Sequence, residues 1–255
     1  MSQVLAALDD TGAASPVLRT ARQLAEGLGR SLRVVHAGPW PASAGREAAA
    51  LGVDVDVLAG PAEQELVAAA GDPGVDLVVM GLHRVPGRHD TGHLVTTLAG
   101  RVSVPIVVVP PCVPVRSNTA RILFPLDGTR RVSSAARPLI RTAVAAGIEV
   151  LALHVYEPTT VPMFHDRPED EEVWRDEFLS RHGAELDVRL TTRAGPLVPA
   201  LLQAAIAHDV DIIAMPSQAD AAPRRGSVVS KVLTGADRPV ALVPLPRVML
   251  EERSA

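Results

Sequence analysis

Aromatic residues make up only 2% of the 255 positions, and there is one cysteine, Cys112. Sparse aromatics remove base stacking as a way of gripping single-stranded nucleic acid. A lone cysteine excludes an internal disulfide and fits a reducing cytoplasm. Charge of neither sign accumulates: 25 basic residues against 29 acidic ones leave a formal −4. No basic surface therefore draws the chain to DNA or to an anionic membrane. No run of about 18 apolar residues is free of charge, glycine or proline, and the chain opens directly into VLAAL at residues 4–8 without a basic leader. These absences point to a cytoplasmic protein with neither a nucleic-acid nor a membrane partner.

What the chain does have is aliphatic and repeated. Hydrophobic residues make up 47%, enough to bury one large core or two ordinary ones. QVLAALDDT at residues 3–11 recurs in pattern as RILFPLDGT at 121–129, which places Asp9 on Asp127 at an offset of 118. The same offset carries Ser15 onto Ser133, Arg19 onto Arg137, Gly29 onto Gly147 and His36 onto His154. Residues 60–80 then match 195–215 at an offset of 135, and Pro105 matches Pro239 at 134. The widening marks an insertion between His154 and Gly195, where the second copy carries the acidic stretch RPEDEEVWRDEFLSRHG. Two copies are expected, at 1–111 and 119–247, joined by the proline-rich PCVPVRSNT.

Within each copy short apolar runs alternate with helical patterns, the signature of an α/β fold with a parallel sheet and right-handed crossovers. A doubly wound order of 3-2-1-4-5 places ligands beyond the carboxyl ends of the first and fourth strands. Those ends are Asp9-Asp10 with Met80-Gly81, and Asp127-Gly128 with Met215-Pro216. The last strands, PIVVVP and PVALVP, are expected near each other about a pseudo-twofold axis relating two five-stranded sheets. In the insertion, Val173, Trp174, Glu177, Phe178 and Arg181 are at helical spacing, which predicts a helix with a shared face.

After the fourth strand of the second copy comes MPSQADAAPRRGSVVSKVL. Gly226-Ser227 before Val228 and Ser230 reads either as a helix cap or as an anion site, because first-turn amides lack helical partners. The first copy has Gly81, Arg84 and Gly92-His93 at the corresponding places. The aspartates read as turn residues or as nucleotide contacts. His36 and His154 read as hydrogen-bonded scaffold. A metal alternative rests on His83, His89 and His93 with Asp90, although Gly92 interrupts their helical spacing. No G-x-S-x-G elbow or repeated carboxylate pair places a nucleophile or base, so no catalytic residue is assigned.

With these positions in place, the sequence resembles the universal stress protein family in its tandem two-domain form. The likeness implies two adenine nucleotide alpha hydrolase-like, Rossmann-like domains and a cytoplasmic role in the stress response through protein partners. The family's nucleotide-binding members carry G-x2-G-x9-G-[ST] after the fourth strand, which holds the phosphates of ATP. Carried onto this chain, that motif implies ATP or a related adenine nucleotide, with no metal beyond nucleotide-associated Mg. The implied contacts are Asp127, Gly128, Gly226, Ser227, Val228 and Ser230 in the second copy, and Asp9, Asp10, Gly81 and Gly92 in the first. Both copies depart from the motif: Arg84 replaces the second glycine in one, Pro216 and Ala219 replace two glycines in the other, and both loops are short. The resemblance further implies an intrachain pseudo-dimer that can pair as a homodimer. Alternatives are a nucleotide-free dimerising scaffold of the same family and a weak ATP hydrolase.

Overall fold

The computed structural model describes residues 2–9, 14–38, 42–82, 93–113, 116, 118–156, 168–182, 188–217 and 227–245. The first half runs β1 (Gln3–Leu8), α1 (Ala14–Gly27), β2 (Ser31–Ala37), α2 (Ala42–Ala50), β3 (Val55–Leu58), α3 (Ala62–Ala70), β4 (Val75–Gly81), α4 (His93–Arg101) and β5 (Ile106–Val109). The second half repeats the order with β6 (Arg121–Pro125), α5 (Arg130–Ala145), β7 (Glu149–Tyr156), α6 (Pro168–His182), β8 (Arg189–Ala194), α7 (Leu197–Ala207), β9 (Ile212–Ser217), α8 (Val228–Gly235) and β10 (Val240–Pro244).

Local chemistry explains these elements. α1 buries Ala14, Val17, Leu18, Ala21, Leu24 and Ala25, a stripe at helical spacing. Beyond α1 and α5 the chain turns through Gly29 and Gly147, at φ +62° and +72°, where a side chain would be strained. The strands are nearly continuous aliphatic runs because both faces of the sheet are covered. α1, α2, α5 and α6 pack on one face, and α3, α4, α7 and α8 on the other.

The strand order is β3-β2-β1-β4-β5-β10-β9-β6-β7-β8. Each half therefore has the expected 3-2-1-4-5 order. The halves do not form two separate sheets, however. β5 and β10 pair antiparallel, Ile106 with Leu242, Val107 with Ala241 and Val108 with Val240, which joins them into one ten-stranded sheet. Each last strand would otherwise present unpaired amides and carbonyls, and direct pairing satisfies both edges at once.

The expected helix in the acidic stretch is α6, the longer counterpart of α2, and it packs Trp174 and Phe178 against His154, with ring centroids 5.3 and 4.6 Å away. Phe178 is buried, but Val173 is 67% exposed. The expected shared face is thus divided. Glu177 and Arg181 form an exposed ion pair, and Val173 lies outside the aromatic contact.

At the junction, the buried carboxylate of Asp211 accepts from the amides of Ala120 and Arg121 at 2.7 and 2.8 Å and pairs with Arg116 at 3.0 Å. Gln23 of α1 donates to Thr119 at 3.3 Å, tying the first half to the start of the second. Replacing Asp211 by alanine strands two backbone donors and takes one of two carboxylate partners from Arg116, which keeps Asp209, and should cost about 2 kcal/mol in urea unfolding. His208 follows α7 with its Nε2 buried and without a hydrogen-bond partner among the described residues. Burial, then Arg193, Arg189 and Arg121, hold its pKa below 6.5. The unfolded chain therefore takes up this proton first, and stability should fall as pH drops from 6.5 towards the lowered folded value. His208→Gln should flatten that slope in unfolding curves measured across the window.

Candidate functional site

In each half the switch point lies where crossover helices leave adjacent strands for opposite faces. In the second half β6 leads into α5 on one face, while β9 leads to α8 on the other. Both helix N-termini therefore border the crevice at the carboxyl ends of β6 and β9.

Two prolines shape that crevice. β9 pairs with β6 only at Ile122–Ile212 and Leu123–Ile213. In the first half the equivalent β1–β4 pairing runs on to Ala7–Met80. The alternation of strand hydrogen bonds explains the difference. Leu126 donates to Leu153 of β7, so residue 125 faces β9; Ile213 donates to Pro239 on the β10 side, so residue 216 faces β6. The next two ladder bonds would need the amides of residues 125 and 216. Both are proline and have none.

On one lip of the crevice, Asp127 Oδ1 accepts from the amide and hydroxyl of Thr129 at 2.8 and 2.7 Å. Gly128, at φ +79°, completes the turn. Thr129 then caps α5 by accepting from the Val132 amide at 3.3 Å. Asp127 is thus a turn residue, and its carboxylate is exposed.

On the other lip, Ser227 is the N-cap of α8, its Oγ accepting from the Ser230 amide at 3.2 Å. The Lys231 amide is taken by the Ser227 carbonyl at 3.0 Å. Among the described residues, no acceptor is recorded for the amides of Val228 and Val229. Ser230 is buried in the first turn. Gly226 lies outside the described residues.

In the first half, Asp9 ends β1 half-buried. Gly81 is buried and pairs with Val109. Asp10, Arg84 and Gly92 lie outside the described residues, as do His83, His89 and Asp90 of the metal alternative. His93 opens α4 in an exposed position 4.0 Å from Glu63. The repeated histidines have one role: His36 Nδ1 is 3.0 Å from the Leu8 carbonyl and His154 Nδ1 is 2.8 Å from that of Leu126. Each pins the end of its first strand to the second.

Sequence reasoning missed Arg130 and Arg131. They occupy the first two positions of α5, the end of a helix where cations are disfavoured by the macrodipole. Arg131 Nε is buried without an acceptor among the described residues. The signal was present in LDGTRR: two cations directly after a capping threonine oppose the usual charge preference.

Comparison with known structures supports the fold. A universal stress protein from Archaeoglobus fulgidus superposes with a TM-score of 0.64 at 15% identity, covering 95% of this chain and 96% of its own. A functionally unknown protein from Pseudomonas aeruginosa PAO1 gives 0.66 at 15% identity, with 96% and 93% covered. No curated protein sequence matches. Residues 118–244 match the model of the Universal stress protein family. Carrying that domain in its second half and the same strand order in its first, the chain belongs to the universal stress protein family.

Proposed function

We propose that this chain is a cytoplasmic stress-response module that binds ATP or a related adenine nucleotide in its second half. The reading treats 1–111 and 119–247 as two units and assigns no hydrolytic step. The observation that carries it is the proline-opened crevice between β6 and β9, bordered by the N-termini of α5 and α8. The first-turn amides of Val228 and Val229, with no acceptor among the described residues, suit a phosphate. Ser227 can cap and bind at once: its oxygen accepts from Ser230 while its hydroxyl proton remains for a ligand. Arg130 and Arg131 supply cations at a helix end that a bound anion would compensate. Asp127 and Gly128 form the opposite lip, and any Mg would arrive with the nucleotide. The family resemblance supports adenine as the base. In the first half, Ala7 permits the ladder that Pro125 forbids.

Equilibrium dialysis of ATP against the full chain tests the reading when combined with urea unfolding. Ser227→Ala should lose about 1 kcal/mol of stability through the cap. Ser227→Asp should keep the cap yet weaken ATP binding by about tenfold or more, because a carboxylate replaces a neutral donor. Arg131→Ala should weaken binding with little change in unfolding, whereas Gly92→Val should leave binding unchanged. Binding lost in Gly92→Val but intact in Ser227→Asp would move the site to the first half. A parent chain that binds no ATP would leave the dimerising scaffold as the function.

Pro216→Gly provides a separate prediction. Restoring the amide at residue 216 allows a ladder bond to the Pro125 carbonyl, which draws β9 onto β6 and should weaken ATP binding. Tighter binding would mean that the missing glycine, rather than the missing donors, governs this crevice.

A further inference from the structure

On the face that carries α1 and α5, the seam between the halves is thinly covered. The helices next to the last strands, α4 and α8, pack on the other face, so β5 and β10 meet here in the space between α1 and α5. Val107, Ala214 and Ala241 make a floor of small side chains. The groove above it is about 400 Å³, walled by Leu24 and Leu28 of α1 and by Leu139 and Thr142 of α5. A second cavity of about 410 Å³ shares Ser103, Pro105, Pro138 and Leu139 with it and reaches Ser134, Ala135 and Leu245. Each has the size of a small-molecule pocket.

The groove has a polar end and an apolar one, and strand register fixes which is which. Val78 and Leu242 both lie beside Ile106, so Asp76 is level with Pro244. Asp76 pairs there with Arg30 at 2.8 Å, and Ser103 and Ser134 line the same end. Ala241 lies beside Ala214, which puts Ile212 at the opposite end with Ile122, Ala143 and Ile148. α5 runs past both ends. Arg131 stands one turn before Ser134 and Ala135, on the stripe that continues through Pro138 and Thr142. Its Nε is buried with no acceptor among the described residues, and it sits in the first turn, where the helix dipole favours negative charge. An apolar trough thus begins at a desolvated cation.

We propose that this groove binds a long-chain carboxylate, with its head on the Arg131 guanidinium and its chain along α5 towards Ile122 and Ile148. The lengths agree. From Arg131 to Ala143 the helix rises about 18 Å, and a carboxylate of about fourteen carbons covers that distance at roughly 1.2 Å per bond once its contact with the guanidinium is added. Carboxylate and guanidinium match in geometry, forming two parallel hydrogen bonds. Arg30 and Asp76 neutralise each other, so Arg131 sets the sign of the ligand. A cationic head would oppose both Arg131 and the helix dipole, and burial of the methylenes supplies the affinity. Arg131 is shared with the proposed nucleotide site, but the groove is not. The inference therefore holds with or without nucleotide binding, and where both ligands bind they compete for one guanidinium.

Equilibrium dialysis of radiolabelled tetradecanoate against the full chain, below its micellar concentration and without nucleotide, tests the proposal. The parent should bind tetradecanoate about tenfold more tightly than tetradecan-1-ol, because only the acid makes a charged pair with Arg131. Dodecanoate should bind about tenfold more weakly than tetradecanoate, through two fewer buried methylenes. Arg131→Gln should bind the acid and the alcohol alike. Ala241→Leu on the floor and Thr142→Trp on the wall should each weaken tetradecanoate binding about tenfold by filling the space that the chain needs, with urea unfolding used to confirm that each variant is folded. Equal binding of acid and alcohol by the parent, a preference for the acid that survives Arg131→Gln, or unchanged binding in a folded groove variant would overturn the proposal. So would a parent that binds no tetradecanoate; if that parent sediments as a dimer that Thr142→Trp dissociates, the groove is an interface with a second copy of the chain.

Discussion

Antiparallel pairing of Ile106, Val107 and Val108 with Leu242, Ala241 and Val240 is the contact on which the architecture depends. It closes the two edges that would be most prone to pair with other chains, since β5 is a wholly buried IVVV run. The edges left at the ends are β3 and β8, and both carry charge: Asp56 of β3 pairs with Arg33, and β8 bears Arg189 and Arg193. Antiparallel sense also reverses direction across the seam. The carboxyl ends of the first half's strands point one way and those of the second half the other. The two crevices therefore open on opposite edges of the sheet, and each must succeed or fail as a binding site alone.

That independence lets two copies of one fold diverge. At the same register position the first half has Ala7, whose amide continues the β1–β4 ladder, and the second has Pro125, which ends β6–β9 pairing two residues earlier. Pro216 removes the facing donor on β9. A glycine loop would open such a crevice through backbone freedom. Here the opening comes from missing donors, a different physical route to a gap in the same place.

Much of this organisation is written openly in the sequence. The offset of 118 carries Gly29 onto Gly147 because both end a helix in left-handed geometry, and His36 onto His154 because each holds a strand-end carbonyl. Fusion into one sheet was less legible, since an apolar run identifies a buried strand but not its neighbour across a seam. Val173 shows a similar limit. Helical spacing grouped it with Trp174 and Phe178, but the actual face is set by the ring of His154, on a strand whose position the spacing does not encode. Pro125 was invisible as a site residue for the same reason: which neighbour its missing amide faces depends on hydrogen-bond alternation across three strands.

Cap and anion site are not exclusive readings of Ser227, because they draw on different atoms of its hydroxyl. Capping uses a lone pair on Oγ, and ligand binding uses the proton. The two roles are compatible at one residue, and the cap holds the oxygen in place so that the proton's position is restricted. What separates a working anion site from an ordinary helix start is then the surrounding charge. Most helix first turns favour acids. α3, on the same face as α8, follows that rule with Glu63 and Glu65. α5 opens instead with Arg130 and Arg131, and α8 has Lys231 just beyond its first turn and no acid within it. An arrangement that opposes the dipole of a helix is a cost when the crevice is empty and becomes favourable when an anion sits between the two helix ends. The inverted charge pattern, more than the serine, distinguishes the β6–β9 crevice from a pair of well-capped helices.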